Sequence, residues 1–397
     1  MQNDNPLKLT PKEYKIKVLL VDDQLIVGEQ VRRMLSQFDD IEYHFCQDPA
    51  IALPTAKEIK PTLILQDLIM PDIDGLTLVK FYRASQELKD VPIIVLSSKE
   101  EATTKAEMFE AGANDYIVKL PDKIELLARI RYHSKAYINL LQRNEAYESL
   151  EKSQKALASE LSKAGEYVIS MLPEAISKDG ISTFWRFIPS AQLGGDSFGY
   201  HWLDDNHFAI YLLDVCGHGV GPALLSVSAM NFLKSNALST LNFHDPAVVA
   251  IALNKAFQMS DHNGLYFTIW YGVYNKADRT ISYISAGHPP ALLIDKQGNM
   301  NKLMNDNFII GGLPDFPFNA TKVNVPEDSL LYVYSDGVYE IELLDGSIWE
   351  LDEMADFINE TKNDNADEID GLLNKVKILG SKEILDDDFS MLKIKFH

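Results

Sequence analysis

The second half of the chain places acidic residues in corners of glycine and other small residues, a pattern that favours metal-ion chemistry. Asp196 and Asp214 flank a predicted β-hairpin, Asp336 follows a later strand pattern, and the run 386–388 precedes the last strand pattern. Carboxylate oxygens suit a hard divalent cation such as Mg²⁺ or Mn²⁺. Two such ions about 3.5–4 Å apart can activate water for the hydrolysis of a phosphate ester. The alternative is that each acid is an exposed turn residue, since Asp is favoured in turns.

The first half contains a second set of groups, which fits the transfer of a phosphoryl group. Carboxylates, hydroxyls and an amine follow four of five short apolar runs, and they are Asp22, Asp23, Asp67, Ser97, Ser98 and Lys119. A divalent cation and an ammonium group would relieve repulsion between the carboxylates, about 1–4 kcal/mol per pair at 4 Å. They would also neutralise phosphoryl oxygens while Asp67 attacks phosphorus. The alternative is a set of loop-end acids, which α/β proteins often carry.

Alternating strand and helix patterns must position this first set of groups. The predicted strands are apolar runs at 17–21, 42–45, 62–66, 92–96 and 116–118. The predicted helices begin near residues 24, 49, 76 and 100. This alternation predicts an α/β domain over residues 16–123, with a doubly wound five-stranded parallel sheet covered on both faces. Functional groups in such folds gather beyond the carboxyl ends of the strands.

A helical segment and a second α/β domain are predicted to follow. Residues 124–172 show a 3–4 apolar spacing without Pro or Gly before Gly165, which predicts a coiled-coil-like stalk. A single amphipathic helix packed on its own chain is the alternative. Residues 173–397 alternate groups of strands with pairs of helices, which predicts an α/β sandwich of two antiparallel sheets. Its predicted helices lie at 222–238, 246–259, 351–359 and 368–379.

Charge and composition narrow the class of protein. The 397 residues carry a formal net charge of −21, which disfavours binding to nucleic acid because phosphate contacts need a basic surface. Cys46 and Cys216 lie in different predicted domains, so a disulfide framework is not expected. The polar N-terminus and the lack of an apolar run of about 18 residues predict a cytoplasmic protein that does not enter a membrane.

Residues 16–123 resemble the receiver domain of response regulators in the segments VLLVDD, LQDLIMPDIDG, IIVLSS and AGANDYIVKLP. The resemblance implies that Asp67 is the phosphoacceptor and that a sensor histidine kinase or phosphotransfer protein supplies the phosphoryl group. It further implies Mg²⁺ ligands at Asp22, Asp23, Asp67 and the carbonyl of Ile69, phosphoryl contacts at Ser97 and Lys119, and an aromatic switch at Tyr116. Most receivers have Lys-Pro where Leu120 here separates Lys119 from Pro121, so a different loop geometry is expected there.

Most of residues 182–397 resemble the PPM family of metal-dependent Ser/Thr protein phosphatases, in the bacterial branch that acts on sigma-factor regulators. The shared motifs are GGD at 194–196, DVCGHG at 214–219, SAGHPP at 285–290, YSDG at 334–337 and DDFSML at 387–392. By position, the resemblance implies two Mn²⁺ or Mg²⁺ ions held by Asp196, Asp214, the carbonyl of Val215, Asp336 and Asp387. For His218 and His288, in nearby loops, contact with phosphate and a structural loop role both stay open.

The two resemblances combine into one functional hypothesis. Phosphorylation of Asp67 controls a protein phosphatase through a stalk that forms a homodimer over residues 124–172. The implied substrate is a phosphorylated STAS-type anti-sigma-factor antagonist. The competing hypothesis is a phosphorylation-controlled binding module that sequesters a regulator without catalysis. A DNA-binding regulator is disfavoured because the chain is acidic and shows no helix-turn-helix pattern.

Overall fold

The computed structural model describes residues 14–98, 101–119, 121–234, 241–362, 367–380 and 385–397. The chain forms two compact units that divide after Gln154, and each is described by itself. Leu120, the helix start predicted near residue 100 and the helix end predicted at 238 lie outside the described residues. The domain limits proposed at 123 and 172 stay predictions.

The first unit contains the predicted doubly wound parallel sheet, with strand order β2-β1-β3-β4-β5. Its strands are β1 (Ile16–Val21), β2 (Ile41–Cys46), β3 (Leu63–Asp67), β4 (Ile93–Ser97) and β5 (Asp115–Val118). Its helices are α1 (Leu25–Leu35), α2 (Ala52–Ile59), α3 (Gly75–Ala84) and α4 (Ala102–Glu110), with a 3₁₀ turn at Pro49–Ile51 before α2. The central strands are buried along their length, because helices cover both faces. This is why the strand sequences are continuous apolar runs rather than alternating ones.

The strand order also explains where the polar groups gather. β1 pairs with β2 on one side and with β3 on the other, and all pairings are parallel. The connections therefore leave β1 and β3 in opposite directions, which opens a crevice at their carboxyl ends. Asp22 directly follows β1, and Asp67 is the last residue of β3.

One long helix, α5 (Lys123–Ser170), occupies most of the predicted stalk. Its first turns pack on the sheet of the first unit through Leu126 and Ile130, both fully buried. Further along, Tyr147, Leu150 and Leu157 are 64%, 53% and 62% exposed. Packing on the same chain therefore buries apolar side chains at the beginning of the helix, whereas these three later apolar side chains stay exposed to solvent. The homodimer through this helix stays a prediction.

The second unit is the predicted α/β sandwich, with two main antiparallel sheets. One sheet has the order β14-β11-β10-β9-β8, the other has the order β13-β12-β15-β18-β7-β6, and β16 and β17 form a small ribbon. The strands are β6 (Ser177–Lys178), β7 (Ile181–Ile188), β8 (Ser197–Trp202), β9 (His207–Val215), β10 (Phe267–Asn275), β11 (Thr280–Ala286), β12 (Ala291–Ile294), β13 (Met300–Leu303), β14 (Thr321–Asn324), β15 (Ser329–Tyr334), β16 (Ile341–Glu342), β17 (Ile348–Trp349) and β18 (Phe389–Phe396). The helices are α6 (Val220–Lys234), α7 (Pro246–Ala256), α8 (Leu351–Thr361) and α9 (Asp367–Leu379).

Side chains that alternate along each strand build the layers of this unit. In β15, Leu331 and Val333 share a core with Leu213 of the opposite sheet. Their neighbours Leu330 and Tyr332 belong instead to the core formed with α8 and α9. Successive side chains of a strand point to opposite faces, so one strand serves both cores. In the part of the chain that the structure describes, no helix is long and apolar enough to cross a membrane.

Candidate functional site

The first unit brings its predicted polar groups together at the carboxyl edge of the sheet. The Lys119 ammonium nitrogen lies 2.8 Å from a carboxylate oxygen of Asp22 and 2.8 Å from one of Asp67. Ligand oxygens of Asp22, Asp23 and Asp67 lie within 4.8 Å of one another. Asp22 and Asp67 are fully buried, so water screens this cluster weakly.

The electrostatics of this cluster favour a bound cation. Burial raises the pKa of Asp67 and Asp22 raises it further, although Lys119 acts in the opposite direction. Burial acts to lower the pKa of Lys119, but its bonds to the two carboxylates raise it overall. One ammonium group therefore faces three carboxylates, and their all-oxygen donor set fits Mg²⁺.

The remaining receiver positions lie around the same pocket. The Ile69 backbone N–H donates to Asp67 Oδ1 at 3.3 Å, so the backbone of Ile69 contacts the acid cluster. Ser97 is buried at the end of β4, and Tyr116 is buried in β5. The Lys105 ammonium lies 5.3 Å from the centre of the Tyr116 ring. The roles assigned to Ile69, Ser97 and Tyr116 stay predictions.

The second unit brings its four predicted acids to one end of the sandwich. Asp196 directly precedes β8 and Asp214 lies near the end of β9. Because Ser197 pairs with Leu213 across the hairpin, these two acids are neighbours. Asp336 follows β15 and Asp387 precedes β18, and those two strands pair directly in the other sheet. Each sheet therefore contributes two acids from adjoining strand ends.

These carboxylates raise one another's pKa. Burial raises the pKa of Asp214 to about 7, and Asp336 and Asp387 contribute to the shift. Burial also raises the pKa of Asp196 well above its ordinary value, with Asp214 and then Asp388 adding to it. Such crowding is unfavourable for ionised carboxylates, and bound cations would reverse it.

One geometric observation supports a divalent ion among these acids. Asp196 Oδ2 is buried and has no hydrogen-bond partner among the described residues, as a ligand atom facing an ion would. Carboxylate oxygens are the ligands that Mg²⁺ and Mn²⁺ prefer.

Asp388 has a positioning contact that the sequence did not reveal. Its Oδ1 accepts hydrogen bonds from the Ser190 backbone N–H at 2.8 Å and the Ser190 hydroxyl at 2.9 Å. Its Oδ2 accepts from the Asp196 backbone N–H at 3.3 Å. Asp387 instead lies near Asp336. Adjacent aspartates thus have different surroundings, and Asp387 stays the predicted ligand while Asp388 fixes the loop that carries Asp196.

Gly195 lets the loop before β8 approach the loop that follows Asp214. A Cβ atom at Gly195 would lie 2.6 Å from the Val215 carbonyl oxygen and 2.9 Å from that of Gly217. Both distances are shorter than any ordinary carbon–oxygen contact, and the neighbours are backbone atoms. The Val215 carbonyl is a predicted metal ligand, so this close approach bears directly on the metal site.

We expect Gly195→Ala to weaken metal binding because the new methyl group displaces the Val215 carbonyl. The metal concentration for half-maximal activation of ester hydrolysis should rise by at least about tenfold, as for losses of supporting groups around metal ligands. Gly221→Ala is the matched control, since its Cβ would meet only Leu265 at 3.7 Å. An unchanged metal dependence in Gly195→Ala would show that this approach does not set the ligand geometry.

His218 and His288 differ in their surroundings. His218 is exposed, and it lies close enough to Asp387 to lower the pKa of that carboxyl group. His288 is buried, and its Nδ1 shares a 2.8 Å hydrogen bond with the Thr268 hydroxyl. The Ser285 hydroxyl donates to the His288 carbonyl at 2.7 Å. These contacts favour a structural role for His288, whereas contact of His218 with a phosphate stays open.

Burial gives His288 a predictable effect on stability. It lowers the pKa of His288 to about 3 in the folded protein, against about 6.5 in the unfolded chain. Below pH 6.5 the unfolded chain therefore binds a proton that the folded chain does not, and the free energy of unfolding decreases as the pH is lowered. The loss should reach about 2 kcal/mol between pH 7 and pH 5.

We expect His288→Asn to remove this part of the acid sensitivity. When the pH is lowered from 7 to 5, the change in the free energy of unfolding measured with urea should be about 2 kcal/mol more favourable to the folded state in the variant than in the wild-type protein. His262→Asn, at a partly exposed histidine of the same unit, should keep the wild-type difference. If the free energy of unfolding depends on pH equally in the wild-type protein and in His288→Asn, the lowered pKa of His288 does not contribute to acid sensitivity.

Together the two units define a class of protein. A parallel α/β domain carries a cluster of acids with a lysine, and an α/β sandwich in the same chain carries a cluster of buried acids. Family models match both parts. Residues 18–131 match the response regulator receiver domain, and residues 204–397 match stage II sporulation protein E (SpoIIE). The chain therefore combines a receiver domain with a domain of the SpoIIE type.

Individual relatives match one part of the chain each. Phosphoserine phosphatase RsbP of Bacillus subtilis (strain 168) is 31% identical over 185 residues, which are 46% of this chain and 45% of that protein. Response regulator MprA of Mycobacterium sp. (strain KMS) is 34% identical over 116 residues, which are 29% of this chain and 49% of that protein. The chain thus spans about half the length of these curated relatives.

A solved structure supports the fold of the second unit. The SiaA-PP2C domain of Pseudomonas aeruginosa superposes with a TM-score of 0.54 and 18% identity. The match covers 62% of this chain and 99% of that chain. At this level of identity the similarity concerns the fold.

Proposed function

We propose that this chain is a response regulator in which phosphorylation of Asp67 controls a metal-dependent protein Ser/Thr phosphatase. The observation that carries the proposal is that one chain holds two separate acid centres with different chemistry. In the first, a lysine ammonium bridges two buried carboxylates. In the second, four acids from two sheets crowd together, and burial and their mutual repulsion raise the pKa of Asp196 and Asp214.

At the first centre the chemistry is transfer of a phosphoryl group to Asp67. The Asp67 carboxylate oxygen attacks phosphorus of a phosphohistidine on a sensor histidine kinase or phosphotransfer protein. The new O–P bond forms as the N–P bond breaks, and the histidine nitrogen leaves with the bonding electrons. Lys119 would neutralise the transferred oxygens, and Asp22 and Asp23 would hold Mg²⁺, which would supply further positive charge.

At the second centre the chain supplies the metal ligands. Asp196, Asp214, Asp336 and Asp387 hold two Mn²⁺ or Mg²⁺ ions, with the Val215 carbonyl as a further ligand. Bound there, the ions supply Lewis acidity and lower the pKa of water for attack on a phosphate ester. Asp388 fixes the loop of Asp196 through the contacts described above, so the ligands are held before an ion arrives.

The substrate proposal comes from the relatives. RsbP is named a phosphoserine phosphatase, which supports phosphoserine or phosphothreonine on a protein as the substrate class. The resemblance of most of residues 182–397 to the sigma-regulator branch supports a phosphorylated STAS-type anti-sigma-factor antagonist as the particular substrate. Dimerisation through residues 124–172 would carry the state of the receiver to the phosphatase, because two helices can change register at small cost in free energy.

Hydrolysis of a generic phosphate ester tests the catalytic part of the proposal. The wild-type protein with Mn²⁺ should release phosphate, and both chelation of the metal and Asp336→Asn should reduce the rate to background. A phosphorylated STAS-type protein should then be a better substrate than the generic ester. Tight binding of that protein with no phosphate release at any metal concentration would favour the binding-module hypothesis instead.

A further inference from the structure

A cluster of metal-ligating side chains lies at the far end of the β8–β9 hairpin. Asp204 is in the turn, His207 is the first residue of β9, and His244 lies in the segment before α7. Ligand atoms of these three residues lie within 4.8 Å of one another. The two imidazole rings meet edge to face, with 4.7 Å between their centres.

Both oxygens of Asp204 contact His207. Oδ1 accepts hydrogen bonds from the backbone N–H groups of Asn206 and His207, both at 2.8 Å, and lies 2.9 Å from His207 Nδ1. Oδ2 lies 2.8 Å from His207 Nδ1 and 2.7 Å from His244 Nε2. The backbone of the turn therefore orients the carboxylate, and Oδ2 faces both imidazole nitrogens. Supporting hydrogen bonds of this kind orient metal ligands.

The segment that carries His244 is also held in place. Asp245 caps α7, and its side chain accepts a hydrogen bond from the Ala247 backbone N–H at 3.0 Å. The backbone of His244 therefore lies one residue before a capped helix start. These contacts hold the backbone of both segments, and the contact between His244 and Asp204 joins the two segments.

We propose that Asp204, His207 and His244 form a binding site for a transition-metal ion of the Zn²⁺ class. The site offers two imidazole nitrogens and one carboxylate oxygen, a donor set typical of zinc, with water in the remaining position. Tetrahedral donors with metal–ligand bonds of about 2.0–2.1 Å lie about 3.4 Å from one another, so Asp204 Oδ2 must move about 0.6 Å farther from each imidazole nitrogen than it now lies. All three side chains are partly or largely exposed, which permits that movement and the entry of an ion.

This site is separate from the catalytic centre. His207 and Asp214 stand near opposite ends of β9, and seven residues of extended strand at about 3.3 Å each place them about 23 Å apart. The donor chemistry differs as well, because imidazole favours Zn²⁺, Co²⁺ and Ni²⁺ whereas carboxylate and water favour Mg²⁺ and Mn²⁺. An ion here would tie the hairpin turn to the segment before α7 without touching the catalytic acids.

Titration of the full chain with Co²⁺, in the presence of excess Mg²⁺, tests the proposal. Tetrahedral Co²⁺ with nitrogen ligands absorbs visible light strongly, whereas Co²⁺ held by six oxygens absorbs weakly. The wild-type protein should develop the strong band with one equivalent of Co²⁺, and Zn²⁺ should displace it. His207→Asn and His244→Asn should each weaken Co²⁺ binding by at least about tenfold, and His262→Asn should leave it unchanged.

Asp204→Asn provides a variant that preserves the turn. Asparagine keeps the oxygen that accepts from Asn206 and His207 but removes the charge, so folding is retained while Co²⁺ binding should weaken. The absence of a strong band in the wild-type protein would overturn the proposal and leave a hydrogen-bonded Asp–His–His cluster. A band that persists in both histidine variants, or that disappears in His262→Asn, would overturn it as well.

Discussion

Replacement of Asp214 by Asn is expected to abolish phosphatase activity while making the metal-free protein more stable. Loss of this central ligand should lower the rate of ester hydrolysis by at least about 10³-fold. Metal ions contribute several kcal/mol to such reactions, and each 1.36 kcal/mol corresponds to a factor of ten in rate. A loss of activity together with a gain in stability would distinguish a catalytic acid from a structural acid, because replacing a structural acid would lower stability.

The gain in stability follows from the pKa of Asp214. Its folded-state value of about 7 lies above the value of about 3.9 in an unfolded chain, because burial and the neighbouring Asp336 and Asp387 disfavour its charge. The folded protein is therefore relatively more stable at pH 4, and it loses stability as the pH rises towards 7 and the unfolded chain alone releases the proton. The cost at pH 8 is on the order of a few kcal/mol, and an uncharged Asn removes it.

Thermal unfolding of the metal-free wild-type protein and of Asp214→Asn at pH 8 and pH 5 measures this effect. The variant should unfold at a higher temperature at pH 8, and the difference should shrink at pH 5. Added Mn²⁺ should stabilise the wild-type protein and have little effect on the variant. Asp356→Asn, at an exposed position of α8, is the matched control and should leave all three quantities unchanged. A variant that is less stable than wild type without metal would contradict the account.

Asp67→Asn is expected to prevent phosphorylation of the chain. With Mg²⁺ and a small phosphodonor such as acetyl phosphate, the wild-type protein should gain one phosphoryl group, seen by intact mass. The variant should show less than about one tenth of that incorporation, because an amide oxygen is a poor nucleophile compared with a carboxylate. Lys119 would still be present, so the loss would concern the acceptor itself.

Asp74→Asn is the control for this experiment. Asp74 is an exposed acid at the start of α3, where its side chain accepts a hydrogen bond from the Thr77 backbone N–H at 2.7 Å. Asparagine serves equally well as a helix cap, so this variant should be phosphorylated like the wild-type protein. If Asp67→Asn still gains one phosphoryl group, another residue is the acceptor and the assignment of the first centre is wrong.

The general fold could be predicted from the sequence because its signals are local. Buried parallel strands are read directly from apolar runs such as LLV in β1, and the acids that follow them lie at strand ends by geometry. Helix limits were less predictable. The helix predicted to begin at residue 222 begins at Val220, and the one predicted to end at 259 ends at Ala256, because loop and core contacts decide the last turns.

Contacts between segments that are distant in the chain could not be predicted from the sequence. Nothing in the run 386–388 tells which acid faces the predicted metal site, since that depends on how β18 pairs with β7 and β15. The cluster of Asp204, His207 and His244 was missed for the same reason, because packing of the segment before α7 against the hairpin turn brings His244 to it. A short Asp-x-x-His spacing was the only local signal, and it is common in turns.

The most direct test of the central claim is the rate of Mn²⁺-dependent phosphatase activity with and without beryllofluoride, a mimic of the phosphoryl group on Asp67. Wild-type protein and Asp67→Ala should be measured side by side on the same phosphorylated STAS-type substrate. The account predicts that beryllofluoride changes the wild-type rate and leaves the rate of Asp67→Ala unchanged, and the direction of change gives the sign of control. Equal wild-type rates with and without beryllofluoride, once its binding is established, would contradict a phosphatase controlled by its receiver domain.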